Sequence, residues 1–182
     1  MAAQPNILFI FTDQQTLNST GAYGNPWVST PHLDALARRG TRFRNSYCTS
    51  PVCSPARASL ITGRMPHEVG VDVNGLPIHP DIPTMGDVFR GAGYDTAWVG
   101  KWHLPAGYSD TDGDLRGFHN IPVRNPRRHL GTITDDAVAA EAVQYLKHHD
   151  RASPFLLAVS LHNPHDICYW IMNRDLDVLR QF

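Results

Sequence analysis

The stretch "PNILFIFTDQQ", Pro5 to Gln15, decides the fold. Ile7 to Phe11 is a short unbroken run of branched and aromatic residues, the composition of a buried strand. It stops abruptly in Thr12-Asp13-Gln14-Gln15, so the strand delivers a carboxylate at its C-terminal end. The same construction recurs twice further on. Tyr94 to Gly100 is strand-like and feeds "GKWHL", and "PFLLAVSL", Pro154 to Leu161, is a second buried strand that empties into "HNPHD".

Helices fall between these strands. Thr30 with Pro31 and Gly40 bracket one whose apolar face is Leu33, Leu36 and Ala37. Pro55 suits the first turn of another, Ser54 to about Gly63, with Cys53 at or near its cap. Thr84 caps a short helix ending near Gly91, and Thr134 to His149 carries acidic residues at its start and Lys147, His148 and His149 at its end. "TRFRNSYC", Thr41 to Cys48, reads as a partly alternating strand. Met65 to Pro83 reads as a Pro- and Gly-rich connection, and Tyr108 to Arg128 as a long surface loop outside the core. Alternating strands and helices predict an α/β fold, a largely parallel or mixed sheet flanked by helices, with one domain over residues 1–182. In such sheets ligands bind beyond the carboxyl ends of the strands. Asp13-Gln14, Lys101/His103 and His165 each follow a predicted strand.

Bulk composition narrows the partner. With 16 basic and 17 acidic side chains the net charge is -1, so no field draws the chain to nucleic acid or to an anionic membrane, and a small molecule is the expected partner. "ILFIF" is too short to span a bilayer and has no basic flank or cleavage region before it, which makes a cytoplasmic location the expectation. Three cysteines, Cys48, Cys53 and Cys168, with no C-x-x-C pair indicate neither a disulfide framework nor a structural zinc site.

The strand-end clusters define a chemistry. A helix start presents free N–H groups and the positive end of the dipole, which favours an anion, so Cys53 occupies a reactive place. Arg57, one turn on, can turn its forked donors towards the same anion. Lys101, His103 and His165 can neutralise charge and move a proton to a leaving group, and Asp13, helped by the Gln14 carbonyl, can hold a hard cation. Singly, a cysteine is usually a small buried hydrophobe and an Asp after a strand a turn former. Their joint placement is the signal.

Cys53-Ser54-Pro55-Ala56-Arg57, continued by Leu60-Ile61-Thr62-Gly63-Arg64, resembles the sulfatase signature of the alkaline-phosphatase-like superfamily. "PNILFIFTDQQ" resembles that family's opening strand and metal-binding turn, "GYDTAWVGKWHL" its second signature, and "SLHNPHD" its later histidine motif. These segments occur in family order. The resemblance implies that a formylglycine-generating enzyme oxidises Cys53 to formylglycine, with Pro55 and Arg57 part of its recognition signal. It implies that Asp13, Gln14 and the modified residue 53 bind Ca2+ or Mg2+, that Arg57 steadies the nucleophile, and that Lys101, His103 and His165 bind sulfate or assist the leaving group. Asn74 is expected to line the substrate pocket, and His67 to be structural. The substrate implied is a sulfated small molecule or carbohydrate. In the Tyr108 to Arg128 loop, Arg124, Arg127 and Arg128 either meet an acidic sugar or are only solvated, as loop arginines often are.

Two departures from the family pattern matter. Many sulfatases carry two consecutive aspartates where this chain has Asp13-Gln14. Family members are also longer, and a later segment supplies further metal ligands, so the chain resembles the N-terminal part of a catalytic domain, apparently truncated at its C-terminus, with a partner chain or a missing C-terminal region completing the site and covering a sheet edge. The alternatives are phosphonate monoester or phosphodiester hydrolysis on the same scaffold, and a non-catalytic remnant or assembly subunit.

Overall fold

The computed structural model describes residues 4–105, 113–123, 131–150 and 152–168. Its strands are β1 (Ile7–Asp13), β2 (Asp95–Gly100), β3 (Gly113–Leu115), β4 (Phe118–Ile121) and β5 (Phe155–Pro164), in one sheet of order β1-β5-β2-β4-β3. β1, β5, β2 and β4 run parallel, and only β3 is antiparallel to its neighbour. The expected parallel or mixed sheet is therefore present. Its last described strand in sequence, β5, lies between the first two.

Period-two alternation divides the central strands between two cores, one on each face of the sheet. Leu156, Ala158 and Trp98 point to the first, with Ile61, Val69, Val71, Trp102 and Phe118; Leu157, Val159, Ala97 and Val99 point to the second, with Val138 and Ala142. The first face is covered by helices α2 (Cys53–Thr62), α3 (Pro66–Val69) and α4 (Met85–Gly91), the second by α5 (Gly131–His148). Trp98 organises the first core, with ring centroids 4.8 Å from Trp102, 5.4 Å from Phe118 and 5.5 Å from Phe11, all edge-on. Burying a side chain of this kind contributes roughly 1.5–3 kcal/mol.

Local sequence explains the helix ends. Thr84 and Asp87 form a reciprocal capping box on α4, as the threonine suggests. Helix α1 (Pro31–Arg39) begins at Pro31 and stops before Gly40 as expected, yet its apolar face is open: Leu33 is 45% and Leu36 56% exposed. β1 lies at the sheet edge and leaves Leu8 and Ile10 half-exposed, so the uniform apolar run is covered on one face only by the described residues. No described helix is long and apolar enough to cross a membrane.

Three readings need correction. Thr41 to Cys48 is not a strand: it makes no ladder, and every side chain in it is exposed. Its alternation had no neighbouring strand to pair with. Tyr108 to Arg128 is not simply a surface loop, because β3 and β4 lie within it and Phe118 and Asn120 are fully buried. Its glycines and polar residues mask one aromatic anchor that packs on Trp98. Arg124, Arg127 and Arg128 lie outside the described residues. The Met65–Pro83 connection contains the single helical turn α3, and Val69, Val71 and Ile78 from it enter the core.

Candidate functional site

Asp13 ends β1, Lys101 follows β2, and His165 follows β5. Because these strands are parallel neighbours in the order β1-β5-β2, all three groups emerge at one edge of the sheet. Asp13 is buried, and its Oδ2 accepts from Lys101 Nζ at 2.5 Å and from Arg57 Nη2 at 3.0 Å. Burial alone would raise its pKa, but the hydrogen bond and charge of Lys101, joined by Arg57, hold it below the ordinary carboxylate value. One buried carboxylate thus faces two buried cations, and the centre keeps a positive surplus.

α2 brings Cys53 and Arg57 to this point. Its N-cap residue, Val52, has no side chain that can cap. Asn74 does so from a distance: its Oδ1 accepts from the Ser54 N–H at 2.9 Å. Cys53 is the first helical residue, half-buried, with its Sγ 3.9 Å from both Asp13 Oδ1 and Lys101 Nζ. Arg57 is locked from three sides, donating to the Lys101 carbonyl at 2.8 Å and Ser160 Oγ at 2.9 Å besides Asp13, with its guanidinium 5.4 Å from the Phe11 ring centroid.

Gly100 lets β2 turn into the site. Its φ is +96°, and a Cβ there would sit 2.1 Å from the Ser160 carbonyl oxygen, so no other residue fits. His103 is likewise left-handed, with φ 61°, and its carbonyl accepts from Ser54 Oγ at 2.7 Å. Burial first, then the charges of Lys101 and Arg57, lower its pKa, so the ring is neutral at pH 7. Its Nδ1 is buried and has no hydrogen-bond partner among the described residues.

The structure brings Asp13, Cys53 and His165 together, with one ligand atom of each within 4.8 Å of the others, and surrounds them with Arg57 and Lys101. Gln14 takes a left-handed turn, φ 65°, and is exposed; its amide oxygen accepts from the Cys168 thiol at 3.7 Å. Asn74 is exposed and sits at the start of α2, while His67 is exposed on α3. The sequence did not reveal Ser160, which fixes Arg57, or Ser54, which fixes His103. Both are ordinary serines beside motif residues. Nor did it reveal Asp135, whose carboxylate accepts from the His162 N–H at 2.6 Å and the Asn163 N–H at 2.8 Å.

The sulfatase family model matches residues 5–177. The chain belongs to the sulfatase family. It is 35% identical over 183 residues to the ulvan-active sulfatase of Formosa agariphila, matching 89% of this chain and 36% of that protein. It is 32% identical over 179 residues to an N-acetylglucosamine-6-O-sulfatase of Bacteroides thetaiotaomicron, matching 89% of this chain and 31% of that one. A solved structure in complex with its substrate, D-glucosamine-2-N,6-O-disulfate, superposes with a TM-score of 0.76 at 28% identity, over 88% of this chain and 35% of that one. The fold is alkaline-phosphatase-like, and the chain spans about a third of the length of these relatives.

Proposed function

We propose that this chain carries the nucleophile and part of the sulfate site of a sulfuric ester hydrolase acting on sulfated carbohydrate. The observation that supports it is the convergence of Cys53, Arg57, Lys101 and His165 on the Asp13 carboxylate, with a positive surplus and a neutral His103 beside it. The sugar sulfatases among the relatives favour a carbohydrate substrate.

The donor set fits a hard divalent cation once Cys53 is oxidised. Asp13 Oδ2 is occupied by Lys101 and Arg57, but Oδ1 has only a weak sulfur contact and remains an anionic oxygen donor. A thiol is the wrong donor for Ca2+ or Mg2+; an oxygen-bearing formylglycine at position 53 is the right one. Asp13, residue 53 and the Gln14 carbonyl would hold the ion, with the remaining oxygen ligands coming from water or from outside the described residues. Hydrated formylglycine offers two hydroxyls on one carbon, one to take the sulfuryl group and the other to expel it.

The chain's own residues then have defined tasks. Arg57 cannot move, so it presents a fixed charge next to the attacking position. Lys101, on the same Asp13 oxygen as Arg57, supplies a second charge to neutralise sulfate oxygens. His103, neutral with an unsatisfied buried nitrogen, can accept or donate one hydrogen bond to sulfate. His165, with a ring nitrogen within 4.8 Å of the Cys53 sulfur, can pass a proton to a leaving oxygen.

The test is sulfate release from an aryl sulfate and from glucosamine 6-sulfate, with calcium supplied or chelated, by protein produced together with a formylglycine-generating enzyme. Intact mass reports conversion at Cys53. Metal-dependent release that disappears in Cys53→Ser is expected; equal release by Cys53→Ser would sink the assignment.

A further inference from the structure

β5 leaves the regular ladder just before the site. Phe11 pairs with Ser160, but the next registered pair is Asp13 with Pro164, so β1 advances from 11 to 13 while β5 advances from 160 to 164. The surplus residues form a bulge over Leu161 to Asn163. On the other side, β2 pairs with β5 only as far as Gly100 with Ser160. No registered strand pair on either side includes His162 or Asn163. Amides outside the ladder call for an acceptor of another kind.

Asp135, in the second turn of α5, accepts from both, at 2.6 and 2.8 Å. It is a half-buried carboxylate whose burial pushes its pKa up, against the two amides that pull it down. The bulge it holds is continuous with His165. The His162 carbonyl accepts from the His165 N–H at 3.2 Å, and the two rings lie 5.0 Å apart. His162 Nε2 is in turn 3.2 Å from Asp166 Oδ1.

We propose that Asp135 is a positioning residue: by holding the two unladdered amides of the β5 bulge, it sets where His165 stands relative to Asp13 and Cys53. Its consequence for sulfate binding rests on the hydrolase reading above; its consequence for the His165 ring does not. Bulges beside active sites re-aim side chains, and this one lengthens β5 at the level where His165 must reach the site. A carboxylate is suited to the task because each of its two oxygens accepts one amide.

The experiment combines ring NMR of histidine-labelled protein, with the His165 signals assigned from His165→Gln, and titration with inorganic sulfate. Asp135→Ala removes both acceptors. It is expected to shift the His165 ring signals, leave those of His103 in place, and weaken sulfate binding by about tenfold, the scale of two lost hydrogen bonds. Asp135→Asn keeps an acceptor oxygen and is expected to fall between the two; it is the variant to read if Asp135→Ala does not fold. A lower melting temperature with unchanged His165 signals and sulfate affinity would overturn the proposal, since Asp135 would then only stabilise the fold. If the unmutated protein binds no sulfate, the hydrolase reading fails, while the His165 signals still decide the positioning role.

Discussion

Among the described residues Asp13 is the single anion paired with two buried cations, and that arrangement makes opposite predictions for its partners. The side chains of Lys101 and Arg57 are only 4% and 6% exposed, and both contact the same Oδ2. Asp13→Asn keeps the shape and removes the charge, leaving two buried cations side by side. Breaking a buried pair in this way costs about 3–5 kcal/mol. Against a typical stability of about 5–15 kcal/mol, that is a large share. It corresponds to a fall in melting temperature of roughly 6–20 °C for a chain of this size. Lys101→Met removes the surplus cation and leaves a balanced Asp13–Arg57 pair, so its stability should stay within about 1 kcal/mol of the native chain or rise. Urea unfolding of the three proteins with a chelator present, read at constant m-value, measures both effects. A cost below about 1 kcal/mol for Asp13→Asn, or an equal cost for Lys101→Met, would refute the idea that the centre maintains a positive surplus against its own stability.

Two further outcomes are expected. Burial, with a smaller contribution from the Lys101 charge and against the pull of Asp166, lowers the pKa of His162 from 6.5 to about 4. The folded ring therefore resists protonation, and its contribution is complete above pH 6.5 and lost as pH falls towards 4, amounting to about 3 kcal/mol. Unfolding free energy measured against pH should fall less steeply in this range for His162→Gln; parallel curves would count against it. Asn74→Ala, although at an exposed position, should cost about 1 kcal/mol by removing the remote cap on the Ser54 N–H, with faster hydrogen exchange in the first turn of α2. No change in either would mean that water replaces the cap.

What the sequence made legible was what each segment does alone. The strands ending at Asp13 and Gly100 and the one running through Ser160 are short apolar runs closed by polar clusters, and Pro55 marks α2 without help from the rest of the chain. Thr41 to Cys48 failed because alternation specifies a strand only where a neighbour and a core face exist. Phe118 was hidden because one buried aromatic among Gly, Asp and Asn leaves no period to read. Asp135 was legible only as an acidic residue near a helix start, a place the helix dipole already favours. Its role depends on a strand bulge 27 positions away, and the bulge depends on how β5 registers with β1, some 149 positions distant.

That register also explains how Asp13 and Lys101 can touch at all. β1 and β2 are not neighbours; β5 runs between them, so the ends carrying these residues stand two strand spacings apart, about 9.5 Å. A regular β5 would continue through the space where the ion pair forms. Instead its pairing with β2 ends at Ser160, and its pairing with β1 is interrupted at the same residue. Lys101 can then reach across the gap to Asp13, while Arg57 fills the floor of it by bonding Ser160 Oγ. Held by Asp135, the departing segment returns at Pro164 opposite Asp13 and leads directly into His165, beside Asp13 and Cys53. The bulge is thus both the opening through which the charges meet and the arm that brings the histidine, which is why a change at Asp135, outside the cluster itself, should be felt at its centre.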